Sequence, residues 1–169
     1  VEKGLGASIH ASISGTVKGL GTSPHPVSVS CPSVVIALNR DAPPKVFNAT
    51  EWKGLSAQEL LGRVKQAGIV GIGGAGFPTH VKINPPPAKK IDTLILNGAE
   101  CEPFLTADQR MMVERADAIW HGIRILRHIL GKPRILVGIE DNKPEAIRSM
   151  EKAMEKADGD VELVVLATA

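Results

Sequence analysis

The chain has 169 residues, enough for one sizeable α/β core with a small attachment. Its 20 basic and 18 acidic residues leave a net charge of +2 with no long run of either sign, which argues against nucleic acid or a polybasic membrane anchor as partner. The only cysteines, Cys31 and Cys101, lie too far apart for a disulfide framework or a zinc or iron–sulfur spacing, and no apolar run approaches the ~20 residues that span a bilayer.

A reducing compartment suits two such isolated thiols. The start Val1-Glu2-Lys3-Gly4 has neither an initiator Met nor a signal-peptide core, so the chain reads as an excised fragment. Residues 1–50 are rich in Ser, Gly, Pro and Val, with short extended runs at Ala11-Ser12-Ile13-Ser14 and Val34-Val35-Ile36-Ala37-Leu38, and read as a small β-rich module. Pro43-Pro44 and the polar stretch to Lys53 read as a linker, and residues 51–169 as an α/β domain.

Ser56-Ala57-Gln58-Glu59 is a capping box that opens a helix with Leu60, Leu61, Val64 and Ala67 on one face and Gly68 as its C-terminal cap. Thr93-Leu94-Ile95-Leu96 is a continuous apolar run of strand length. A second capping box, Thr106-Ala107-Asp108-Gln109, begins a helix whose Met112, Ala116, Ile119, Ile123, Leu126 and Leu130 recur at helical spacing until Gly131 and Pro133 stop it.

A strand over Arg134–Ile139 follows, then a cap at Asn142-Lys143-Pro144-Glu145 and a helix with Ala146, Met150, Ala153 and Met154 inward. Val161–Leu166 is the last strand. This alternation predicts right-handed crossovers and a Rossmann-like parallel sheet with covering helices. Ligands of such sheets bind beyond the carboxyl ends of the strands, which selects Asn97–Pro103 and Gly138–Asn142 as the binding edge.

Gly71-Ile72-Gly73-Gly74-Ala75-Gly76 matches the dinucleotide pattern G-x-G-x-x-G, yet no strand precedes it and Pro78 biases Phe77 away from helical angles. An ordinary Rossmann turn is therefore not expected. Four glycines in six residues still require a cause. One is a concave nest of N–H groups for a phosphate, with Lys82 adding its charge; the other is a tight turn between elements.

Glu100 and Glu102 read either as acceptors for ribose or amide groups of a bound nucleotide or as solvated loop charges. Cys101 between them reads as a small buried filler or a reactive thiol. Asp108 is accounted for by the helix dipole, and the four methionines by core or helix-surface packing. The five histidines share no metal-ligand spacing beyond a pair, His121 and His128, seven apart on one helix; His80 alone is placed to line a site.

The segment Gly71–Lys82, followed by Asn97-Gly98-Ala99-Glu100-Cys101-Glu102-Pro103 and Thr106-Ala107-Asp108, resembles the C subunit of Rnf-type ion-translocating electron transport complexes. More distantly it is similar to the FMN- and NADH-binding subunit of respiratory complex I. The resemblance runs from about Ile9 to the C-terminus. It implies a complex I flavin-subunit-like fold, preceded by the second half of a barrel-sandwich module at His10–Val17 and truncated on its C-terminal side.

The resemblance implies FMN held by Gly71, Gly73, Gly74, Ala75 and Gly76, with Lys82 on the phosphate and Asn97 against the flavin. Phe77 matches a stacking aromatic, and Glu100 and Glu102 match acidic nucleotide-site positions. It also implies NADH as hydride donor, 4Fe-4S clusters beyond this fragment as electron acceptors, and other subunits of a membrane complex as partners at the cytoplasmic face, with no span of its own. Ala99, His80 and Ile83 depart from the complex I version, where an acidic residue, a glycine and a tryptophan stand, and agree better with the Rnf-type branch. No catalytic side chain is expected, because the flavin takes the hydride itself. The competing expectations are an interaction scaffold with a degenerate nucleotide site and a non-flavin phosphate-binding enzyme.

Overall fold

The computed structural model describes residues 5–43, 51–71, 75–102, 104–155, 157 and 159–168. Pro44, Gly73, Gly74 and Pro103 lie outside the described residues, as does most of the expected linker. The chain divides into two compact units: one runs from Ile9 to Glu51, and the other holds Trp52 onward together with the N-terminal residues as far as Ser8.

The smaller unit is an antiparallel ribbon of β1 (Gly15–Pro24) and β2 (Ser30–Leu38), with a bulge between Val17 and Gly19. Its turn is tied by the His25 ring, whose Nδ1 accepts the N–H groups of Val27 and Ser28 at 3.2 Å each. The expected strand at Val34–Leu38 lies within β2, but Ala11–Ser14 is not a strand. Among the described residues pairing starts only where Asn39 donates to the Ser14 carbonyl at 2.9 Å, since β2 ends at Leu38. A lone ribbon buries little, and Leu20 remains 83% exposed.

In the larger unit, α1 (Ala57–Gln66) forms as its sequence directs. Ser56 accepts the Glu59 N–H, and the Glu59 carboxylate returns to the Ser56 N–H at 2.8 Å, completing the box. At the other end Gly68, at φ +68°, donates to the Lys65 carbonyl and Ile69 to that of Val64, a Schellman close. Leu60 and Leu61 are buried.

The sheet consists of β3 (Thr93–Asn97), β4 (Arg134–Glu140) and β5 (Val161–Leu166), all parallel and in sequential order. α3 (Ala107–Ile129) and α4 (Pro144–Met154) form the crossovers and pack on each other, so both cover the same face. There Met112, Ile123, Ala146 and Met150 close over Ile135, Val137 and Ile139 to form the core. Strand alternation turns Ile95, Leu136, Val164 and Leu166 to the opposite face, where Ile95 is 66% exposed.

Three local expectations are corrected. α3 is two helical segments joined at Arg115, whose φ of −133° and ψ of 26° are non-helical. Thr106 precedes it without any side-chain cap; its ψ of 17° departs from the extended backbone that lets a capping hydroxyl reach back. In α4 the residue at the cap position is Lys143, which has no acceptor, and Pro144 at the first helical position removes a donor that would otherwise need one.

Candidate functional site

The glycine segment follows α1 as a pinned loop. Gly71 donates to the Phe77 carbonyl at 3.0 Å and Thr79 to that of Ile69 at 3.0 Å, with an antiparallel bridge between Val70 and Pro78. These bonds draw the two ends of the loop, residues 69–71 and 77–79, together. Gly71, Ala75, Gly76 and Phe77 are exposed, Phe77 by 43%.

A Cβ built on Gly71 would meet nothing closer than the Phe77 carbonyl oxygen at 3.9 Å, and one on Gly76 nothing within 4 Å. Internal packing therefore does not demand the bareness of Gly71. Gly76 sits at φ +64°, which favours glycine on its own account. Exposed backbone without side chains suits a phosphate, and so does the exposed Lys82 at the end of the short helix α2 (Thr79–Lys82). Within α2, the Nδ1 of His80 is buried without a partner among the described residues.

The strand-end motif is built differently. Gly98 donates to the Gly138 carbonyl at 2.8 Å, and a Cβ there would meet that oxygen at 2.9 Å and the Met112 sulfur at 3.0 Å. Only glycine lets β3 turn over the edge this close to β4 and α3. The Asn97 side-chain oxygen accepts the Ala99 N–H at 3.1 Å, so its amide NH2 is the group left to offer a ligand.

Glu100 links the two predicted edge loops. Its N–H donates to the Glu140 carboxylate at 3.1 Å, and its own carboxylate accepts the Gln109 N–H at 2.9 Å. The latter is the third amide of α3, so Glu100 performs the capping task expected of Thr106. Asp108 is held above the ordinary aspartate range, first by desolvation, then by the Glu100 charge and a hydrogen bond to Glu100. Beneath this edge lies a cavity of about 110 Å³ bounded by residues including Asn97, Gly98, Asp108 and Met112.

Beyond it, Asp141 accepts the Thr168 N–H at 3.2 Å and the Thr168 hydroxyl. The Thr168 hydroxyl and amide bonds hold the Asp141 carboxyl below its usual range. Glu102 is exposed. Cys101, expected as a buried filler, is exposed as well, because the chain has already turned off the sheet edge at Gly98. Phe104 was not singled out from the sequence: its side chain is fully exposed and its backbone is left-handed at φ +68°. No sequence signal marks a phenylalanine for that conformation.

A parallel sheet with covering helices and a glycine-turned carboxyl edge, preceded in the chain by a glycine-rich loop, is the architecture of a nucleotide-binding α/β domain. The Nuo51 FMN-binding domain model matches residues 64–169, and the chain belongs to this family. It is 49% identical over 155 residues to the C subunit of the proton-translocating ferredoxin:NAD(+) oxidoreductase complex of Clostridium ljungdahlii, covering 89% of this chain and 34% of that protein.

It is 44% identical over 169 residues to the C subunit of the ion-translocating oxidoreductase complex of Pectobacterium atrosepticum, covering 98% of this chain and 24% of the relative. Among solved structures it is similar to a chain of an NAD+-reducing NiFe-hydrogenase in the H2-reduced state, with a TM-score of 0.55 and 25% identity over 68% of this chain and 21% of that one. The chain thus spans a quarter to a third of the curated relatives quoted. The resemblance to the C subunit of Rnf-type complexes holds, as does the complex I-like α/β fold.

Proposed function

We propose that this chain binds FMN at the glycine loop and the carboxyl edge of its sheet, as part of a subunit that takes electrons from NADH and passes them to iron–sulfur clusters of a membrane complex. The observation that carries the reading is Gly71, bare and exposed in a pinned loop although no described residue crowds it. The family match and the relatives from ion-translocating complexes support it.

In this reading the N–H groups of Ala75, Gly76 and Phe77 and the Lys82 ammonium hold the phosphate, while the Gly71 N–H pins the loop. Asn97 donates its amide to the flavin. Phe77 offers an apolar face at the loop's mouth. Glu100 acts as a positioning residue that fixes the turn after Asn97 by tying β4 to the start of α3. Glu102, exposed on the same loop, is the carboxylate left to meet the ribose of a nucleotide. When bound, FMN supplies the hydride-accepting centre and converts a two-electron donor into single-electron steps. No acid or base on the chain is needed for that.

Titration with FMN, read by quenching of flavin fluorescence, tests the site. Gly71→Val has room for its Cβ and is expected to keep the melting temperature while losing flavin; undiminished flavin affinity in a folded variant would sink the reading. NADH as donor is tested separately by bleaching of the flavin absorbance in the full-length subunit. A yellow protein that NADH leaves unbleached would retain the FMN site and reject the donor.

A further inference from the structure

Both tryptophans of this aromatic-poor chain lie together, far along α3 from the sheet edge. Trp52 precedes α1 and rests edge-on against His121, with ring centres 5.9 Å apart, and against His128, 5.8 Å apart. The Arg124 guanidinium lies 5.7 Å from its ring centre. Trp52, Trp120, Arg124, Arg127, His128 and Lys132 bound a recess of about 140 Å³.

Three basic side chains, Arg124, Arg127 and Lys132, line this recess, and no carboxylate is among the described residues lining it. Arg127 is anchored, donating from Nε to the Pro133 carbonyl at 3.2 Å. The dipole of α3 accounts for a base in the last turn, but Arg124 lies before that turn and Lys132 beyond it. Lys132 closes the Schellman motif, its N–H on the Arg127 carbonyl at 2.8 Å, in a left-handed backbone at φ +65°. A glycine would hold that position without strain, so the lysine is kept at a conformational cost.

The recess is too small for a nucleotide, whose pockets start at roughly 300 Å³, and is of side-chain size. Neither indole is among the exposed large apolar side chains, as insertion into a bilayer interface would require. Tryptophan and arginine in a partly desolvated recess are the residues on which protein–protein binding energy concentrates. We infer that this recess is a docking point for an acidic polypeptide segment of a partner protein, with one carboxylate met by Arg124 and Lys132 and the adjoining aliphatic part lying on the indoles. The pairing rests on charge complementarity between a cation-lined recess and its occupant.

Because both tryptophans line the recess, intrinsic fluorescence reports on it directly. Titration of the chain with a short oligoglutamate at low ionic strength should give a saturable fluorescence change that added salt reverses and oligolysine does not produce. Lys132→Gly, which suits the same backbone, and Arg124→Gln should each weaken the apparent affinity about fivefold, the scale of one exposed ion pair. A melting temperature of Lys132→Gly no lower than the parent's separates lost charge from lost fold. The inference is overturned by the absence of a saturable change, by parental affinity in both variants, or by a spectral shift on phosphatidylglycerol vesicles that oligoglutamate cannot reproduce.

Discussion

The Glu100 carboxylate and the Gln109 N–H, nine positions apart, meet at 2.9 Å and cap α3 from across the loop rather than from the helix's own first residue. Removing that acceptor by Glu100→Ala should cost about 1 kcal/mol, the usual value of a helix cap. Glu100→Gln keeps an acceptor oxygen and should cost less. Thr106→Ala should be close to neutral, because the Thr106 hydroxyl caps nothing. Urea unfolding of the three variants checks the order; a larger loss in Thr106→Ala than in Glu100→Ala would contradict it.

The raised carboxyl of Asp108 makes stability pH-dependent in a definite direction. The folded chain retains a proton there that the unfolded chain releases, so this contribution declines as pH rises from the ordinary aspartate range through the raised folded value. Asp108→Asn lacks the titration. Its stability relative to the parent should therefore grow across that window, by on the order of 0.5 kcal/mol for a solvent-screened group. Denaturation midpoints measured on both sides of the window would show it, and a constant difference would not.

Ser56 and Glu59 give the opposite slope. Hydrogen bonds from the Ser56 side chain and backbone lower the Glu59 carboxyl, so the stabilisation is present above its ordinary range and is lost as pH falls through the lowered value. Ser56→Ala should cost about 1 kcal/mol at neutral pH and flatten the acid limb of the stability profile.

Phe104→Gly should stabilise the chain by about 1 kcal/mol, because an exposed phenyl gains nothing from burial while its left-handed backbone carries a Cβ penalty. Gly98→Ala should do the reverse, by about 1–3 kcal/mol, since the added methyl would press on the Gly138 carbonyl and Met112. Thermal melts of the two variants should therefore move in opposite directions.

The sequence was most legible where neighbours along the chain decide the outcome. The box at Ser56 and Glu59, the Gly68 and Gly131 closures, and the inward Ala146 and Met150 follow from spacing alone and appear as expected. Reading failed where a distant group took over a local task. Thr106 has a capping sequence, but Glu100 holds the amide; Cys101 has the composition of a core residue, but Gly98 has already turned the chain outward.

The kink in α3 was hidden for a related reason. The apolar stripe from Met112 to Leu130 continues across Arg115 with unbroken spacing, so periodicity does not register that one residue leaves helical angles. The histidine pair found its role only in three dimensions, where His121 and His128 grip the Trp52 indole.

Arg115 divides α3 into a front segment carrying Gln109 and Met112 at the sheet edge and a rear segment whose His128 ring bonds the Leu55 carbonyl at 3.1 Å. A residue outside helical angles between two helical segments is a mechanical joint. Strain introduced at the front by an occupied site would dissipate at Arg115 before it reached Trp52. Amide deuterium uptake along α3 should accordingly fall into two opening units, with the front segment alone slowed by flavin.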